Sequence, residues 1–530
     1  MRNEFFISSI AIVILLAVGG WFWPPLWVVL GLLSPILILG YVDAFQPSQS
    51  IRRNFPVLGH GRYLMEKIRP GVQQYFIETN INGRPFNRND RSVVYQRAKK
   101  VLSTNPFGTE EDVYEEGYEW LNHSIAAKDH KLLNHHPRTK VGGSNCTQPY
   151  DSSVLNVSAM SYGSLSKNAV LALNGGAKIA HFGQNTGEGG VSQYHLEMGG
   201  DLIYQIGTGY FGCRAEDGSF SADKFKKTVE ASSVKMIELK LSQGAKPGHG
   251  GILPAKKNTP EIAKIRGVEP GKDVLSPPFH KAFNTPVGLL EFIDELRDLS
   301  GGRPVGFKLC IGHKSEFIAI CKAMIATGRK PDFIAIDGGE GGTGAAPLEF
   351  SDSVGMPFRE GLAFAYDVLN GFDLKKDIKL VASGKIVTGF DMFRAFALGA
   401  DVCASARAMM MAVGCIQARM CNTNHCPVGV TTQNPELMAG LVVADKKQRV
   451  ANFHTETITS LVELLAAAGL EHPEQIRRIH VNQRVDQHII MRYDEVFPEV
   501  VKGCFINGDI PKRYQRPFAE AVAESFVPHV

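Results

Sequence analysis

Two long apolar runs open the chain. No charged residue occurs in residues 5–23, and after Pro24 and Pro25 a second uncharged run covers residues 26–42. Each run is close to the roughly 20 residues that a helix needs to cross a bilayer. The proline pair should end one helix before the next begins. The pattern therefore predicts a transmembrane helical hairpin over residues 1–50.

Basic residues set the expected orientation of this hairpin. Arg2 precedes the first run, and Arg52, Arg53, Arg62 and Lys67 follow the second. The positive-inside rule then places both ends, and with them the rest of the chain, on the cytoplasmic side of the inner (cytoplasmic) membrane. The alternatives are one kinked span, which the basic residues after the second run disfavour, and a signal peptide, for which the apolar stretch is too long.

Beyond residue 150 the pattern changes to short apolar runs that end in Gly, Ser, Asn or Asp and precede helical patterns. The runs comprise residues 154–160, 234–241, 305–309, 333–336, 378–382 and 402–404. Strands that alternate with helices predict an α/β fold with a parallel sheet. Glycines and polar residues gather after the strands, where an α/β barrel builds its active site.

The remaining segments are predicted to be largely helical appendages. Residues 51–140 form a lead-in region with helices predicted at 92–102 and 110–122, and residues 452–467 form an amphipathic stretch. We therefore expect a hairpin, a lead-in region, an α/β domain and a helical extension. Their expected bounds are residues 1–50, 51–140, 141–445 and 446–530.

Composition narrows the functional classes. Apolar residues make up 44% and charged residues 21% of the 530 residues, which is ordinary for a globular protein. A net charge of +4 at this length, without a basic stretch interleaved with aromatics, argues against nucleic-acid binding. Nine cysteines are too sparse for the disulfide framework of a small secreted domain and favour a reducing compartment.

Three cysteines, Cys415, Cys421 and Cys426, lie in one short segment that ends in a proline. Thiolates suit iron-sulfur clusters and zinc. A four-iron cluster or a structural zinc normally takes four ligands, so three predict a fourth ligand elsewhere or a cluster that lacks one iron. A zinc site with three Cys and one His would need His425, which adjoins Cys426. Three unrelated buried thiols are the remaining alternative.

Glycine-rich segments follow the predicted strands. Residues 184–190 offer backbone amides and the carboxylate of Glu188, and residues 243–251 place Lys246 where barrels often bind an anion. A tight turn and a surface lysine are the respective alternatives.

Three later segments invite comparison with nucleotide sites. Residues 339–344 fit G-x-G-x-x-G, but Pro347 follows without a clear long helix, so the dinucleotide-binding context is missing. Residues 382–385 and 404–407 end consecutive strands, where barrels commonly hold a ligand phosphate.

Taken in order, six segments resemble the FMN-binding synthase domain of the glutamate synthase family over about residues 140–440. They are MSYGSLS at 160–166, NTGEGG at 185–190, AKPG at 245–248, SPP at 276–278, GGTG at 341–344, and Cys415-x5-Cys421-x4-Cys426-Pro-Val-Gly. The resemblance implies a (β/α)8 TIM barrel with FMN and a 3Fe-4S cluster on the three cysteines.

The resemblance also implies residue roles. In that family the barrel reduces 2-iminoglutarate, formed from 2-oxoglutarate and ammonia, with hydride from reduced FMN. Lys308 is expected to stabilise negative charge on the reduced flavin. The other implied residues are Met160 and Ser161 at the flavin ring, Gly384, Ser405 and Arg407 at its phosphate, and Lys246, Glu188 and Arg266 at the substrate.

Two segments depart from the family pattern. Gly-His249-Gly-Gly-Ile252 stands where the family usually has Gly-Glu-Gly-Gly-Gln, and Phe279-His280-Lys281-Ala282 stands where it has Pro-His-His-Asp. A carboxylate and an amide that help to hold the cofactor or 2-oxoglutarate are therefore absent. The identity of the 2-oxo acid stays open.

The expected function is that of a glutamate synthase-like oxidoreductase that makes an amino acid such as glutamate from a 2-oxo acid and ammonia or an amine. Arg2 follows Met1 where a glutaminase module needs a nucleophilic Cys, and no convincing pyridine-nucleotide domain is evident. We therefore expect separate proteins to supply ammonia and electrons. One alternative is a membrane-associated electron-transfer subunit without a small substrate. Another is a flavin oxidase of 2-hydroxy acids, which ought to show a catalytic His near Lys385 or Arg407; none is evident.

Overall fold

The computed structural model describes residues 1–102 and 104–529, and the chain divides into two compact units, the first ending at Arg88 and the second beginning at Asn89. The first unit is helical. Its elements are α1 (Arg2–Phe22), α2 (Pro25–Phe45), α3 (Ser50–Asn54), α4 (Gly59–Val72) and a π-helical turn (Gln73–Ile77).

Helices α1 and α2 are each long and apolar enough to cross a membrane. Only 11% and 6% of their apolar windows are buried, which differs from the core helices of soluble proteins. Pro25 opens α2 at a position where a missing N–H costs no hydrogen bond. The two helices pack together through Ser9 and Tyr41, whose hydroxyl oxygens lie 2.9 Å apart.

The second unit contains a closed barrel of eight parallel strands, which confirms the predicted α/β TIM-barrel fold. The strands are β1 (Leu155–Val157), β2 (Gly183–Asn185), β3 (Asp201–Ile206), β4 (Val234–Lys240), β5 (Val305–Cys310), β6 (Phe333–Asp337), β7 (Lys379–Ser383) and β8 (Val402–Ser405). Each pairs with its neighbour along the chain, and β8 closes the barrel on β1, where Cys403 lies opposite Leu155.

Helices surround the barrel and extend beyond it. They are α5 (Arg88–Lys99), α6 (Lys167–Ala180), α7 (Gln193–Glu197), α8 (Ala222–Val229), α9 (Pro260–Arg266), α10 (Pro286–Leu299), α11 (Lys314–Thr327), α12 (Leu348–Ser353), α13 (Phe358–Gly371), α14 (Gly389–Ala397), α15 (Arg407–Val413), α16 (Pro435–Ala439), α17 (Val443–Ala467), α18 (Tyr493–Val496) and α19 (Lys512–Glu520). Short 3-10 turns span His130–Leu132, Ala255–Lys257, Pro473–Gln475 and Arg478–His480.

A two-stranded hairpin, Arg138–Val141 and Tyr150–Ser153, contributes Val141 and Tyr150 to the apolar cluster inside the barrel. The other members are Ile203, Met236, Phe333, Ala335, Val381 and Val402. Because these side chains come from the first half of their strands, the apolar core fills the amino end of the barrel. The polar ends of the strands remain available for chemistry at the opposite face.

The helix predicted over residues 110–122 is wrong. Glu119–Leu121 is a strand that pairs antiparallel with Val481–Arg484, and Ile490–Arg492 extends this small sheet. The buried carboxylate of Glu119 accepts a hydrogen bond from the Tyr493 hydroxyl (2.6 Å) and pairs with Arg359 and Arg394. Partners distant in sequence thus override the local helical pattern. A last pair of short strands is Ile252–Leu253 and Val274–Leu275.

Candidate active site

Charged and polar side chains cluster at the carboxyl ends of the barrel strands. Beneath them, the barrel encloses a cavity of about 20 Å³, large enough for one water molecule. Its polar lining consists of Ser152, Asn156, Ser158, Asn185, Glu238, Lys308 and Ser383.

Glu188, in the loop after β2, is an inward-facing carboxylate surrounded by cations. Its Oε1 lies 3.0 Å from Nζ of Lys240, the last residue of β4. Burial raises the pKa of Glu188, but the charges of Lys240, Lys246 and Arg266 outweigh it and hold the pKa below its ordinary value. Three cations therefore face one ionised carboxylate, and this cluster of side chains carries excess positive charge.

Lys246 is almost completely buried, with 2% of its surface exposed. Its Nζ donates a hydrogen bond to the backbone oxygen of Ala345 at 3.1 Å. Burial lowers the pKa of Lys246 to about 8, while Glu188 opposes the shift and Lys240 adds to it. The Lys246 side chain can therefore exchange between ammonium and neutral amine at a pH near 8.

Arg266, at the end of α9, reaches the same cluster from another direction. Its Nη2 donates to the backbone oxygen of Tyr162 at 3.2 Å, and its guanidinium lies 5.0 Å from the ring centroid of Phe211. Burial lowers the pKa of Arg266 to about 10, against the attraction of Glu188. Within the described part of the chain its Nε has no hydrogen-bond partner, so a buried donor remains for a ligand.

The backbone of Lys240 is held by the neutral ring of His280. In the sequence, His280 stands out only as part of a segment that departs from the family pattern. Nε2 of His280 donates to the backbone oxygen of Lys240 (2.8 Å), so Nδ1 accepts from the Tyr210 hydroxyl (3.1 Å). Burial lowers the pKa of His280 to about 4, which keeps the ring neutral. Sequence reasoning missed Lys240 itself, although its position at a strand end was a usable signal.

Lys308, on β5, lies at the centre of a second buried group of charges. Its Nζ is 3.2 Å from Oδ2 of Asp337 on β6, and both side chains are nearly buried. Burial lowers the pKa of Lys308, but Asp337 and Glu238 outweigh it and raise the pKa above its ordinary value. Lys308 is thus a fixed cation at the base of the strand ends.

Glu238 is fixed by amides from the two preceding strands. Asn185 Nδ2 and Gln205 Nε2 both donate to its Oε1, at 2.8 and 2.7 Å. The carboxylates of Glu238 and Asp337 were not foreseen, because their roles depend on which strands are neighbours.

The three residues predicted to hold a phosphate lie at the ends of β7 and β8. Arg407 is partly buried, and its Nη2 donates to the backbone oxygen of Glu340 at 2.8 Å. Ser405 Oγ donates to the backbone oxygen of Ile386 at 2.6 Å. Gly384 directly follows Ser383, whose hydroxyl oxygen lies 3.1 Å from that of Ser158.

Met160 and Ser161 follow β1 at the same face of the barrel. Gly187 approaches them closely: its φ is +64°, and a Cβ there would lie 2.5 Å from the Ser161 nitrogen. Ser161 Oγ donates to Ser164 Oγ at 3.1 Å. The loops after β1 and β2 are therefore packed against each other, which brings the NTGEGG segment beside the MSYGSLS segment.

These strand ends fit an anionic flavin nucleotide in donor chemistry. A fixed ammonium on β5, hydroxyls on β7 and β8, and a partly buried guanidinium after β8 share one face. Their donors can bind the oxygens of a flavin ring and a phosphate.

The three cysteines of the metal motif lie in an irregular loop after α15. Cys415 Sγ accepts a hydrogen bond from the backbone nitrogen of Gln417 at 3.4 Å, and the Tyr95 hydroxyl donates to the backbone oxygen of Cys415 at 2.8 Å. Burial raises the pKa of the Cys415 thiol to about 11, and the charges of Cys421 and Cys426 add to this. The three sulfurs are thus close enough to influence one another.

The surroundings of this loop suit thiolates. Burial raises the pKa of Cys426, but donors from Thr431 and from the backbone of Val428 and Val430 hold it below its ordinary value. Lys257 faces Cys421 and Cys426; burial lowers its pKa to about 8 while both cysteines oppose the shift. A cation and several N–H donors near thiolates are typical of iron-sulfur loops.

Single-ion coordination fits this loop less well. Among the residues that the structure describes, no group of three or more His, Cys, Asp or Glu is arranged to hold a metal ion. In a cluster, each thiolate binds a different iron atom, so the sulfurs need not converge on one point. The three thiols are soft donors of the kind that an iron-sulfur cluster takes.

A family model described as a conserved region in glutamate synthase matches residues 99–471. The chain belongs to the glutamate synthase family. The matched segment contains all eight barrel strands and the three cysteines of the loop. As a member of the glutamate synthase family, the chain is an oxidoreductase.

Individual glutamate synthase relatives support this membership. The glutamate synthase large subunit-like protein YerD of Bacillus subtilis is 36% identical over 516 residues, which cover 89% of this chain and 98% of that protein. The archaeal glutamate synthase (NADPH) of Methanocaldococcus jannaschii is 36% identical over 322 residues, or 61% of this chain and 60% of that protein. The chain thus spans less than two thirds of the archaeal relative.

Similar solved structures include flavoproteins of low sequence identity. A mutant flavocytochrome b2 with benzoylformate is 13% identical, with a TM-score of 0.45 over 84% of this chain and 97% of that chain. A mandelate oxidase variant with 2-hydroxy-phenylacetamide is 16% identical, with a TM-score of 0.40 over 75% of this chain and 99% of that chain.

Proposed function

We propose that this glutamate synthase-family chain uses FMN and a 3Fe-4S cluster to reduce a 2-imino acid, formed from 2-oxoglutarate or a similar 2-oxo acid and ammonia or an amine. The observation that carries the proposal is the buried cluster of Glu188, Lys240, Lys246 and Arg266. Three cations around one carboxylate leave two positive charges. A 2-oxo dicarboxylate brings two negative charges and balances them.

Each member of the cluster has a distinct expected task. Arg266 offers its unpartnered Nε and its planar guanidinium to a substrate carboxylate. Lys246, with its pKa of about 8, can bind the second carboxylate or deliver a proton to the forming amine. Glu188 pairs with Lys240, and its charge opposes the burial that lowers the pKa of Lys246.

The cofactors that the family implies fit the remaining residues. When bound, FMN supplies hydride, and the cluster supplies electrons one at a time. Lys308 would stabilise negative charge at the flavin ring. The residues proposed for the other contacts are Met160 and Ser161 at the ring, Gly384, Ser405 and Arg407 at the phosphate, and Cys415, Cys421 and Cys426 at the cluster.

The proposal includes partners and a location. Relatives are named for NADPH and, in Antithamnion, for ferredoxin; we infer that a separate protein supplies electrons here and that another supplies ammonia. Helices α1 and α2 would anchor the chain in the inner (cytoplasmic) membrane. The basic residues after α2 would keep the catalytic unit on the cytoplasmic side.

A screen of substrates tests the proposed reaction. The protein is purified from membranes without oxygen, its flavin is bleached with dithionite, and 2-oxo acids are added with ammonium, glutamine or methylamine. We expect one pair, led by 2-oxoglutarate with ammonium, to restore the flavin absorbance. Glu188→Gln should slow this step strongly, whereas Glu197→Gln, at an exposed carboxylate, should not. A bleached flavin that no pair reoxidises would favour the electron-transfer subunit instead.

A further inference from the structure

Helix α4 and the π-helical turn after it carry an exposed apolar stripe. Its members are Leu64, Met65, Ile68, Val72, Tyr75 and Phe76, and each is at least 38% exposed. At about 100° per residue, the four members in α4, Leu64, Met65, Ile68 and Val72, fall within an arc of about 100° on one side of the helix. The stripe is too regular to be scattered surface hydrophobicity, so it indicates a partner surface.

Basic side chains occupy the rest of the helix surface. Arg62, Lys67 and Arg69 lie outside the apolar arc, with Glu66 as the one acidic residue among them. Arg52 and Arg53 in the preceding α3 add two more positive charges. Residues 46–77 thus carry five Lys or Arg against one acid, which matches a negatively charged surface.

Hydrogen bonds hold the start of α4 at the end of α2. Asp43, in the last turn of α2, accepts a hydrogen bond from the backbone nitrogen of Val57 (3.0 Å) and lies 2.8 Å from Nε2 of His60. Asp43 is only 2% exposed. If α2 crosses a membrane, α4 must therefore begin where α2 leaves it, at the level of the lipid headgroups.

We propose that residues 59–77 form an interfacial helix that binds an anionic lipid surface. The apolar stripe enters the boundary between headgroups and acyl chains, and Arg62, Lys67 and Arg69 contact lipid phosphates. The net positive charge and the attachment to the hairpin favour lipid over a second protein. This inference is independent of the reaction proposed for the barrel, and its readout does not involve activity.

Photo-crosslinking in the full-length protein tests the position of the stripe. Ile68→p-benzoylphenylalanine places the reactive group in the stripe, and Glu66→p-benzoylphenylalanine is the matched control on the polar side. In nanodiscs made of equal parts phosphatidylcholine and phosphatidylglycerol, we expect lipid adducts at position 68 that exceed those at 66 by several fold. Adducts to a peptide of this chain or of another protein, or equal lipid yields at both positions, would overturn the proposal.

Charge substitutions test the anionic character of the surface. Phosphatidylcholine-only discs should give a lower lipid yield at position 68 than the mixed discs. The triple variant Arg62→Gln, Lys67→Gln, Arg69→Gln should lose that difference, with about tenfold less adduct in mixed discs. The control variant Lys178→Gln, Lys226→Gln, Lys227→Gln removes three exposed charges elsewhere. It should keep the difference in lipid yield between the two kinds of disc. The proposal is contradicted if the lipid-adduct yield changes neither with lipid charge nor in the triple variant of Arg62, Lys67 and Arg69.

Discussion

Single side chains decide what the barrel can bind. Lys246 is buried beside Glu188, and its pKa of about 8 reflects burial that the neighbouring carboxylate only partly offsets. A lysine is a cation below its pKa, so the positive charge that would hold a substrate carboxylate is present at neutral pH and is lost as the pH rises through about 8.

This lysine predicts a pH dependence of the reaction. The kcat/KM for the 2-oxo acid should fall as the pH rises through about 8. Glu188→Gln removes an attraction that raises the pKa of Lys246, so the inflection should move to lower pH. Steady-state rates over a pH series measure both effects. An inflection that stays in place in Glu188→Gln would show that Lys246 is not the titrating group.

Lys308 should be needed for stability as well as for flavin chemistry. Lys308→Met leaves Asp337 and Glu238 as buried carboxylates without their cation, which should cost about 3–5 kcal/mol of unfolding free energy. Lys330→Met is the matched control, because the Lys330–Asp377 pair is more than one third exposed and should contribute about 0–1 kcal/mol. Thermal unfolding of the two variants compares them. Equal losses of unfolding free energy in Lys308→Met and Lys330→Met would show that Lys308 is not the cation that balances the buried carboxylates.

Among the elements, the loops after the strands were harder to predict than the strands themselves. Six of the eight barrel strands follow apolar runs that the sequence shows directly, whereas β2, of sequence Gly-Gln-Asn, has no apolar residue. The motifs located Glu188 and Lys246, and the family resemblance implied Lys308. That these residues contact Lys240, Glu238 and Asp337 becomes evident only when the strand neighbours are known, because the partners lie on different strands or loops.

The loop after β4 depends on a glycine that touches another loop. A Cβ at Gly244 would lie 1.6 Å from the backbone oxygen of Gly338, and the Gly244 nitrogen donates to Asp337 (3.0 Å). Gly244→Ala should therefore displace the segment that carries Lys246 and cost about 1–3 kcal/mol. Gly312→Ala, where a Cβ meets nothing within 4 Å, is the control. Substrate affinity and thermal stability should fall together in the first variant alone.

The cysteine loop after α15 should control iron content without controlling flavin content. Cys421→Ser should abolish the electron paramagnetic resonance signal of the cluster and leave FMN largely bound, since the proposed flavin contacts lie on other loops. Cys146→Ser, outside the loop, should keep the signal. Iron analysis and visible spectra of anaerobically purified protein measure both cofactors. Unchanged iron in Cys421→Ser would overturn the ligand assignment.

For the whole molecule, an N-terminal pair of apolar helices precedes a glutamate synthase-type barrel on one chain. The family membership and the barrel are established by the matched segment and the closed sheet. Six ordered motifs indicate the family and the barrel, and two long uncharged runs indicate the pair of apolar helices. All of these patterns can be recognised in the sequence without knowledge of tertiary contacts. The identity of the proposed 2-oxo acid would depend on side chains that come from several loops around Glu188, and no linear pattern reveals it.

A single-turnover product analysis tests whether the reduced flavin converts a 2-oxo acid and ammonia into an amino acid. The protein, with its flavin reduced and all free reductant removed without oxygen, is mixed with 2-oxoglutarate and ammonium that carries the heavy nitrogen isotope, and the products are examined by mass spectrometry. We expect labelled glutamate in proportion to the flavin that becomes reoxidised, and far less of it from Glu188→Gln. Flavin reoxidation without any labelled amino acid, with this or any other 2-oxo acid, would contradict the proposed reaction.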